Sequence, residues 1–270
     1  MRDQVLWRLL VATALVQLVF AIWPGVDIAV SRLFVQADGS FLLAKSAFGE
    51  DIRMSIWLGS IAVAVAGAVM LCASLLRGRH AKTSWRLWAF VTAIYVCGTG
   101  LLVNVLLKQN WGRARPVTIQ EFGGDRLFTP PFEIAGQCSS NCSFVSGEAA
   151  SAAAMAIVLA VCFGRALPKP WRGMAYGALG AVYAVASGMR VAAGRHFLSD
   201  VVFAGLFMLI LARLFYRAFG VSRDHADGLP KAMFADLFGL MKRKLTVAPD
   251  TGIVPSVPAD GVAPSRSGQV

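Results

Sequence analysis

Six long apolar segments constrain this chain more than any other feature of its sequence. Each is close to the roughly 17 to 25 residues that a helix needs to cross the hydrocarbon core of a membrane. Hydrophobic residues make up 57% of the 270 and charged residues only 15%, which excludes an ordinary water-soluble domain. The sequence therefore predicts an all-α polytopic membrane protein, a bundle of six transmembrane helices. The segments are Leu6–Ile22, Ser55–Leu76, Leu87–Leu107, Phe144–Phe163, Gly173–Met189 and Val201–Phe219.

Basic residues beside these segments predict the orientation of the chain. The formal net charge is +11, but the basic residues form no separate polar module with interleaved aromatic residues, so nucleic acid is not expected as a partner. The short connections 77–86 and 165–172 carry several basic residues and no acidic ones, whereas the other connections mix both signs. The positive-inside rule then places both termini in the cytoplasm. The first segment has no cleavage pattern beside it, which favours an uncleaved anchor.

The composition along the chain predicts three parts. Residues 1–220 hold all the apolar segments and form the membrane domain. Residues 221–245 include a short amphipathic stretch with a basic end, which suits the inner membrane surface. Residues 246–270 mix Pro, Ala, Ser, Gly and Val without a periodic pattern and are predicted to be disordered.

Residues 24–34, after the first segment, have apolar side chains at helical spacing. This pattern predicts an amphipathic helix that either lies at the outer membrane interface or packs over the spans. No residue in this stretch suggests catalysis.

A basic cluster follows the third apolar segment, where Lys108, Arg113 and Arg115 lie within eight residues of each other. Cations placed just outside a span can form a compact anion-binding surface. They can equally extend towards the interface beside Trp111 as a belt residue. This stretch alone favours neither interpretation.

The fourth segment opens with Ser146, Gly147 and Glu148. The unpaired amides and the positive dipole end at the start of a helix favour an anion. An ionisable Glu148 at the edge of a span is costly unless it is used, so we expect it to be functional.

Cys138 and Cys142 lie in the second outer connection, where an oxidising compartment permits a local disulfide. A zinc site would need two further ligands, and no other histidine or cysteine is near enough in sequence to supply them. The sequence therefore predicts the disulfide and no metal.

The last group of candidate residues is Arg190, His196 and Asp200, between the fifth and sixth segments. If a helix begins near Leu198, His196 and Asp200 lie one turn apart, and the carboxylate can orient the imidazole as nucleophile or base. Taken alone, such a pair often only caps a helix. However, the topology brings this group and the two earlier ones to the same side of the membrane, and this convergence favours an active site.

These residues resemble the three motifs of the type 2 phosphatidic acid phosphatase superfamily, over roughly residues 5–219. The first motif, Lys-x6-Arg-Pro, matches in full, and the third, Ser-Arg-x5-His-x3-Asp, matches except for Met189 in place of serine. The second, Pro-Ser-Gly-His, keeps only its central pair, and Glu148 replaces the histidine. The matching stretches are Lys108-x6-Arg115-Pro116, Val145-Ser146-Gly147-Glu148 and Arg190-x5-His196-x3-Asp200.

The resemblance implies a metal-independent phosphatase without a cofactor. His196 would attack phosphorus to give a phosphohistidine, and Asp200 would orient it and stabilise its charge. The phosphoryl oxygens would be held by Lys108, Arg115, Arg190 and the amides near Ser146 and Gly147. The family histidine at position 148 is the acid that protonates the leaving oxygen. An ionised Glu148 would repel the substrate, so it is either held protonated by burial and used as the acid, which we favour, or it points away.

The expected substrate is a phosphorylated membrane lipid. Among the superfamily, the compact six-span layout is similar to the bacterial lipid A phosphatases, which implies an enzyme of the inner membrane with its site on the periplasmic face. The alternatives are a phosphatase of undecaprenyl diphosphate or phosphatidylglycerol phosphate. A non-catalytic anion-binding membrane protein is a further alternative, with Met189 and Glu148 as signs of a decayed motif. The sequence leaves the oligomeric state open.

Overall fold

The computed structural model describes residues 3–164, 166–221 and 229–246 of the chain. These residues form helices joined by loops, with no strand among them beyond two isolated bridges, so the all-α prediction is confirmed. A π-helical segment, Ile94–Leu107, joins α4 to α5, and the three make one continuous span, Trp85–Asn110. The helices are α1 (Gln4–Ile22), α2 (Gly25–Arg32), α3 (Ala47–Arg77), α4 (Trp85–Ala93), α5 (Lys108–Asn110), α6 (Gly147–Phe163), α7 (Lys169–Ala192), α8 (Leu198–Ala218) and α9 (Leu229–Thr246).

Each predicted apolar segment forms a helix, and four of these helices are long and apolar enough to cross a membrane. They are α1, α3, α8 and the Trp85–Asn110 span. Helix α6 is apolar but has only 17 residues, and α7 is not among the helices that meet both criteria. The protein is therefore a polytopic helical membrane protein, and its six-span count stays a prediction.

The core of the bundle forms around α6 and α8. Helix α6 packs against α3, α7, α8 and the π-helical segment, and α8 also packs against α1. Small side chains allow these close approaches, because Ala149, Ala150 and Ala154 of α6 are fully buried. Phe203 and Met208 of α8 fill the space on the other side.

Helix α2 packs over the spans rather than lying freely at the interface. Its residues Asp27 and Ser31 are fully buried, and the helix contacts α8. The second of the two alternatives for residues 24–34 is the one observed. Because α2 covers the beginning of α8, it reaches the neighbourhood of His196.

The long connection between α5 and α6 folds over the same end of the bundle. Two single 3₁₀ turns, Pro116–Thr118 and Gln120–Phe122, begin it, and the Val117 amide donates to the carbonyl of Gly194. Gly112 has a φ of +68° and lies against the Ala135 carbonyl, so only glycine fits there. Further along, the sulfurs of Cys138 and Cys142 are joined in a disulfide.

The predicted amphipathic segment forms α9 and packs against α3. Its anchor is the buried Asp236, whose carboxylate accepts hydrogen bonds from the amides of Lys82 and Thr83 and lies 3.2 Å from Arg77 Nε. The predicted disordered tail lies outside the described residues, and the division into three parts stays a prediction.

Candidate active site

His196 lies at the start of α8, buried just before the first helical residue, Leu198. Its Nδ1 is 2.8 Å from the carbonyl oxygen of Ser143 and 3.7 Å from Oδ2 of Asp200. A carbonyl oxygen can only accept, so Nδ1 must carry a hydrogen. In the neutral ring, the lone pair is then on Nε2, which is the form required of an attacking nucleophile.

Asp200 acts on His196 less directly than the sequence predicts. The two side chains are one turn apart as expected, but the 3.7 Å separation is that of an ion pair and not of a hydrogen bond. The Asp200 carboxylate accepts instead from the Ser143 hydroxyl at 2.5 Å and from the Phe197 amide at 2.8 Å. Asp200 thus fixes Ser143, and the Ser143 carbonyl orients the imidazole.

Arg113 is not part of an anion-binding surface, which corrects the grouping of this residue with Lys108 and Arg115. Its side chain is 0% exposed and lies between two aspartates, 2.6 Å from Asp200 and 2.8 Å from Asp27. The guanidinium also lies 4.3 Å from the ring centroid of Phe197. A buried cation with two buried carboxylates is a structural ion triad, and it cannot reach a substrate.

Asp27 belongs to the site, contrary to the expectation that residues 24–34 take no part in it. Its carboxylate accepts from Arg113, from the Ser199 amide at 2.8 Å and from the Ser199 hydroxyl. Burial raises the pKa of Asp27, and the positive charge of Arg113 opposes that shift. The signal in the sequence was an acidic residue in an otherwise apolar helical pattern.

Lys108 and Arg115 are held together by Asn141, a residue that the sequence analysis did not identify. The ammonium group of Lys108 lies 3.1 Å from the Asn141 side-chain oxygen, and Arg115 donates to the Asn141 carbonyl at 2.8 Å. Asn141 lies inside the loop closed by the Cys138–Cys142 disulfide. Burial lowers the pKa of Arg115, and the nearby charge of Arg195 acts in the same direction.

The start of α6 lies beside Lys108, as the motif arrangement requires. Ser146 is the N-cap, and its hydroxyl accepts from the Ala149 amide, while its own amide donates to the Asp200 carbonyl. The Ser146 amide is therefore unavailable to a phosphate. Within the described residues the amides of Gly147 and Glu148 have no partner, and a Cβ on Gly147 would lie 3.5 Å from Lys108 Nζ.

Glu148 lies between two arginines. Its Oε1 is 3.1 Å from Arg53 NH1, and its Oε2 is 3.3 Å from Arg190 Nε. Arg53, on α3, also forms an ion pair with Glu50. The Arg190 Nε is buried, and its contact with Glu148 is an ion pair without hydrogen-bond geometry.

The structure places all eight predicted site residues at one end of the bundle. Ion pairs and hydrogen bonds connect seven of them in three groups: Lys108 with Arg115 through Asn141, Glu148 with Arg190, and His196 with Asp200 and Ser146. The eighth, Gly147, lies beside Lys108. Lys108 is close enough to Arg115, Glu148, Arg190 and Asp200 for their charges to interact. Three cations beside a neutral imidazole can neutralise the equatorial oxygens of a phosphoryl group during its transfer. Among the described residues, no three His, Cys, Asp or Glu side chains converge as metal ligands would.

The chain is similar to several known proteins. The family model described as the PAP2 superfamily matches residues 90–224. The lipid A 4'-phosphatase of Francisella tularensis subsp. novicida (strain U112) is 32% identical over 204 residues, which cover 73% of this chain and 87% of the relative. The lipid A 4'-phosphatase of Rhizobium leguminosarum is 34% identical over 207 residues, covering 72% and 87%. That of Rhizobium etli is 33% identical over 210 residues, covering 72% and 79%.

One solved structure has a similar fold. It is the crystal structure of the first transmembrane PAP2 type phosphatidylglycerolphosphate phosphatase from Bacillus subtilis, with a TM-score of 0.51. The match covers 81% of this chain and 98% of that one, at 20% sequence identity. At this identity the likeness concerns the fold alone.

Proposed function

This chain belongs to the PAP2 superfamily, and we propose that it is a membrane phosphatase that removes a phosphate from lipid A through a phosphorylated His196. Three relatives at 32%, 34% and 33% identity, each matched over most of its length, are named lipid A 4'-phosphatases. The observation that carries the mechanism is the 2.8 Å contact from His196 Nδ1 to the Ser143 carbonyl. It leaves the Nε2 lone pair free to attack phosphorus.

In the first step, the phosphate monoester binds with its oxygens on Lys108, Arg115 and Arg190 and on the free amides of Gly147 and Glu148. The His196 Nε2 lone pair forms a bond to phosphorus, and the bond from phosphorus to the sugar oxygen breaks. The sugar oxygen takes up a proton from solvent water and leaves as an alcohol. The positive charge on the imidazole is stabilised by the Asp200 carboxylate, 3.7 Å from Nδ1.

In the second step, a water molecule attacks the phosphohistidine. Its oxygen bonds to phosphorus, the bond from phosphorus to Nε2 breaks, and orthophosphate is released. His196 returns to the neutral form with the hydrogen on Nδ1, again facing the Ser143 carbonyl. Three fixed cations serve both steps, since the charge on the transferred group changes little between them.

The contacts of Glu148 favour a positioning role over the acid role expected from the family histidine. Each of its oxygens already faces a guanidinium group, those of Arg53 and Arg190, which are the contacts of an ionised acceptor. The Glu148→Gln substitution separates the two roles. An acid role predicts a far larger loss of turnover on a lipid phosphate than on an activated aryl phosphate, because the aryl group leaves without a proton. A positioning role predicts similar losses on both.

The proposal also includes metal independence and orientation. Phosphate neutralisation by Lys108, Arg115 and Arg190 supplies the charge stabilisation that a metal ion would otherwise give. The distribution of basic residues supports an inner-membrane protein with both termini in the cytoplasm and the site on the periplasmic face. Activity retained in a chelator, and reporter fusions at each terminus, test these two points.

The function is tested by phosphate release from a panel of lipids with the purified protein. The panel contains lipid A, undecaprenyl diphosphate and phosphatidylglycerol phosphate, each incubated with and without a chelator. We expect lipid A to give the highest kcat/KM and His196→Ala to abolish release. The matched control is Arg126→Gln, because the Arg126 and Asp125 side chains form an exposed ion pair outside the predicted site. A higher kcat/KM for another lipid would make that lipid the proposed substrate. Phosphate release by His196→Ala would refute the mechanism.

A further inference from the structure

A cleft lined by four arginines adjoins the proposed phosphate site. Its volume is about 310 Å³, and its polar wall is formed by Arg53, Arg115, Arg190 and Arg195. Arg115 and Arg190 already have a proposed role in binding the transferred phosphate. Arg53 and Arg195 have none, and one lies on α3 and the other in the loop before His196.

Carboxylates in and beside this cleft neutralise only part of its positive charge. Glu50 pairs with Arg53, and Glu148 contacts Arg53 and Arg190. Within the part of the chain that the structure describes, neither Arg115 nor Arg195 has a carboxylate within 4.0 Å. Arg195 is also close enough to Arg115 and Arg190 to repel their charges. Like charges held this close to one another repel, and an anion bound between them would remove the repulsion.

The two positions at which the chain departs from the family motifs border this cleft. Met189, in place of the motif serine, contributes to its apolar wall together with Leu43 and Ala44. Glu148, in place of the motif histidine, is tied to Arg53, a wall residue. Both departures therefore border the cleft, and Glu148 also contacts Arg190 of the phosphate site.

We propose that Arg53 and Arg195 bind a second anionic group of the lipid substrate, beside the phosphate that is transferred to His196. A phosphate monoester carries about 1.5 to 2 negative charges at neutral pH, and Lys108, Arg115 and Arg190 suffice for it. The Arg195 guanidinium, which has no carboxylate within 4.0 Å among the described residues, suits a further phosphate or carboxylate and can bind it through two parallel hydrogen bonds. Arg53 contributes the N–H groups that its contacts with Glu50 and Glu148 leave free. This inference rests on the proposed function, because it assumes a lipid phosphate in the neighbouring site.

The test compares two glycolipids with the same acyl chains, one with two phosphates and one that keeps only the phosphate to be removed. Arg195→Gln is the informative variant, because Arg195 is exposed and its loss leaves the Arg53–Glu148 pair intact. Binding is measured in the His196→Ala background, so that it does not depend on turnover, and KM is measured with His196 present. Arg126→Gln is the control.

We expect Arg195→Gln to weaken binding of the two-phosphate lipid about tenfold, the effect of losing one charge-assisted contact, and binding of the one-phosphate lipid less than about threefold. Equal effects on both lipids, or no effect on either, would overturn the proposal. The proposal would also be overturned if phosphatidylglycerol in the same micelle raised the affinity for the one-phosphate lipid to that for the two-phosphate lipid. That result would assign the cleft to a neighbouring lipid. Failure of the proposed function has a different signature: absent phosphate release from the protein with His196, whatever the binding preference.

Discussion

Arg113 is the buried cation that balances the charge of Asp200. It is fully buried and contributes the only guanidinium within hydrogen-bond distance of Asp200 in the described part of the chain. Asp27 and Ser199 complete its surroundings, and the Phe197 ring covers its face at 4.3 Å. A buried carboxylate without this cation would lose its charge or its position, and the Ser143 carbonyl that orients His196 would move with it.

The first prediction therefore concerns Arg113→Gln. Removing one partner of a buried ion pair costs about 3 to 5 kcal/mol of unfolding free energy, because the other charge is left uncompensated. We expect a loss of this size in detergent, measured by thermal or chemical unfolding, with phosphate release reduced by at least about a hundredfold as the nucleophile loses its orientation. Arg126→Gln, which breaks an exposed pair with Asp125, should change stability by less than about 1 kcal/mol. Similar stabilities for the two variants would contradict the structural role of Arg113.

The second prediction concerns the protonation of His196. Burial lowers the pKa of its imidazole to about 4, against the opposing effect of Asp200. The folded state therefore favours the neutral ring. Because an unfolded histidine, with a pKa of about 6.5, binds a proton more readily, the free energy of unfolding decreases as the pH falls from about 6.5 towards 4. Ring-carbon NMR signals followed with pH, and assigned with His196→Ala, should show a midpoint near 4. A midpoint near 6.5 would mean that the ring is solvated and not held as described.

The positions of single site residues could be predicted where a motif carried them and not elsewhere, and their catalytic roles stay predictions. The spacing of Arg190, His196 and Asp200 in the sequence predicts a nucleophile and its carboxylate. Asp27 and Arg53 act through contacts with Arg113 and Glu148, which are 86 and 95 residues away in sequence. No local pattern encodes such pairs, because they arise only when α2 and α3 pack beside the site.

At the level of elements, the loop closed by the Cys138–Cys142 disulfide acts as a clamp on the first motif. Asn141, at its tip, contacts Lys108 through the side chain and Arg115 through the carbonyl. The sequence predicted the disulfide, but not that the loop it closes returns to Lys108. The Cys142 amide, which donates to the Lys108 carbonyl at 3.0 Å, completes this return.

The third prediction follows from this clamp. Asn141→Ala removes the contact with Lys108 and keeps the backbone contact with Arg115, so we expect KM for the lipid phosphate to rise about tenfold with a smaller change in kcat. The double substitution Cys138→Ser and Cys142→Ser should raise KM further, because both contacts are loosened. Steady-state kinetics on detergent micelles measure both. Ser139→Ala, in the same loop, is the matched control, and an equal effect there would show that the loop has no specific role.

The loop between α7 and α8 is a second element that sets the geometry. Gly194 has a φ of +65°, and a Cβ there would lie 2.5 Å from the Phe41 ring.

The fourth prediction is that Gly194→Ala displaces this loop and His196 with it, so that kcat falls by a larger factor than KM changes. Gly188→Ala, where a Cβ would meet nothing within 4 Å, is the control and should leave both constants unchanged. Equal kinetics for the two variants would contradict the account.

For the whole molecule, the apolar segments predicted the helices, and the motifs predicted which ends of them meet. The helix bounds differ mainly at α3, which begins at Ala47 and not near Ser55, because Ser46 caps it and the Glu50–Arg53 pair extends its first turns. That extension brings Arg53 to Glu148 and to the arginine cleft. The sequence pattern missed it, since charged residues in the first turns conceal the start of an apolar helix.

Packing of α2, α3 and the outer connection around α6 and α8 therefore brings the three motifs to one end of the bundle. The family relationship supports phosphatase chemistry, and the contacts around His196 are the basis of the proposed mechanism. The account depends on one covalent event, the transfer of a phosphoryl group to Nε2 of this residue.

The most direct test is to stop the reaction of purified protein with lipid A in alkali, where phosphohistidine survives, and to locate the modified residue by mass spectrometry. We predict a phosphorylated peptide with the modification on His196, formed and consumed at rates consistent with turnover and absent from His196→Ala. Phosphate release at a normal rate without modification of His196, or with modification of another residue, would contradict the account.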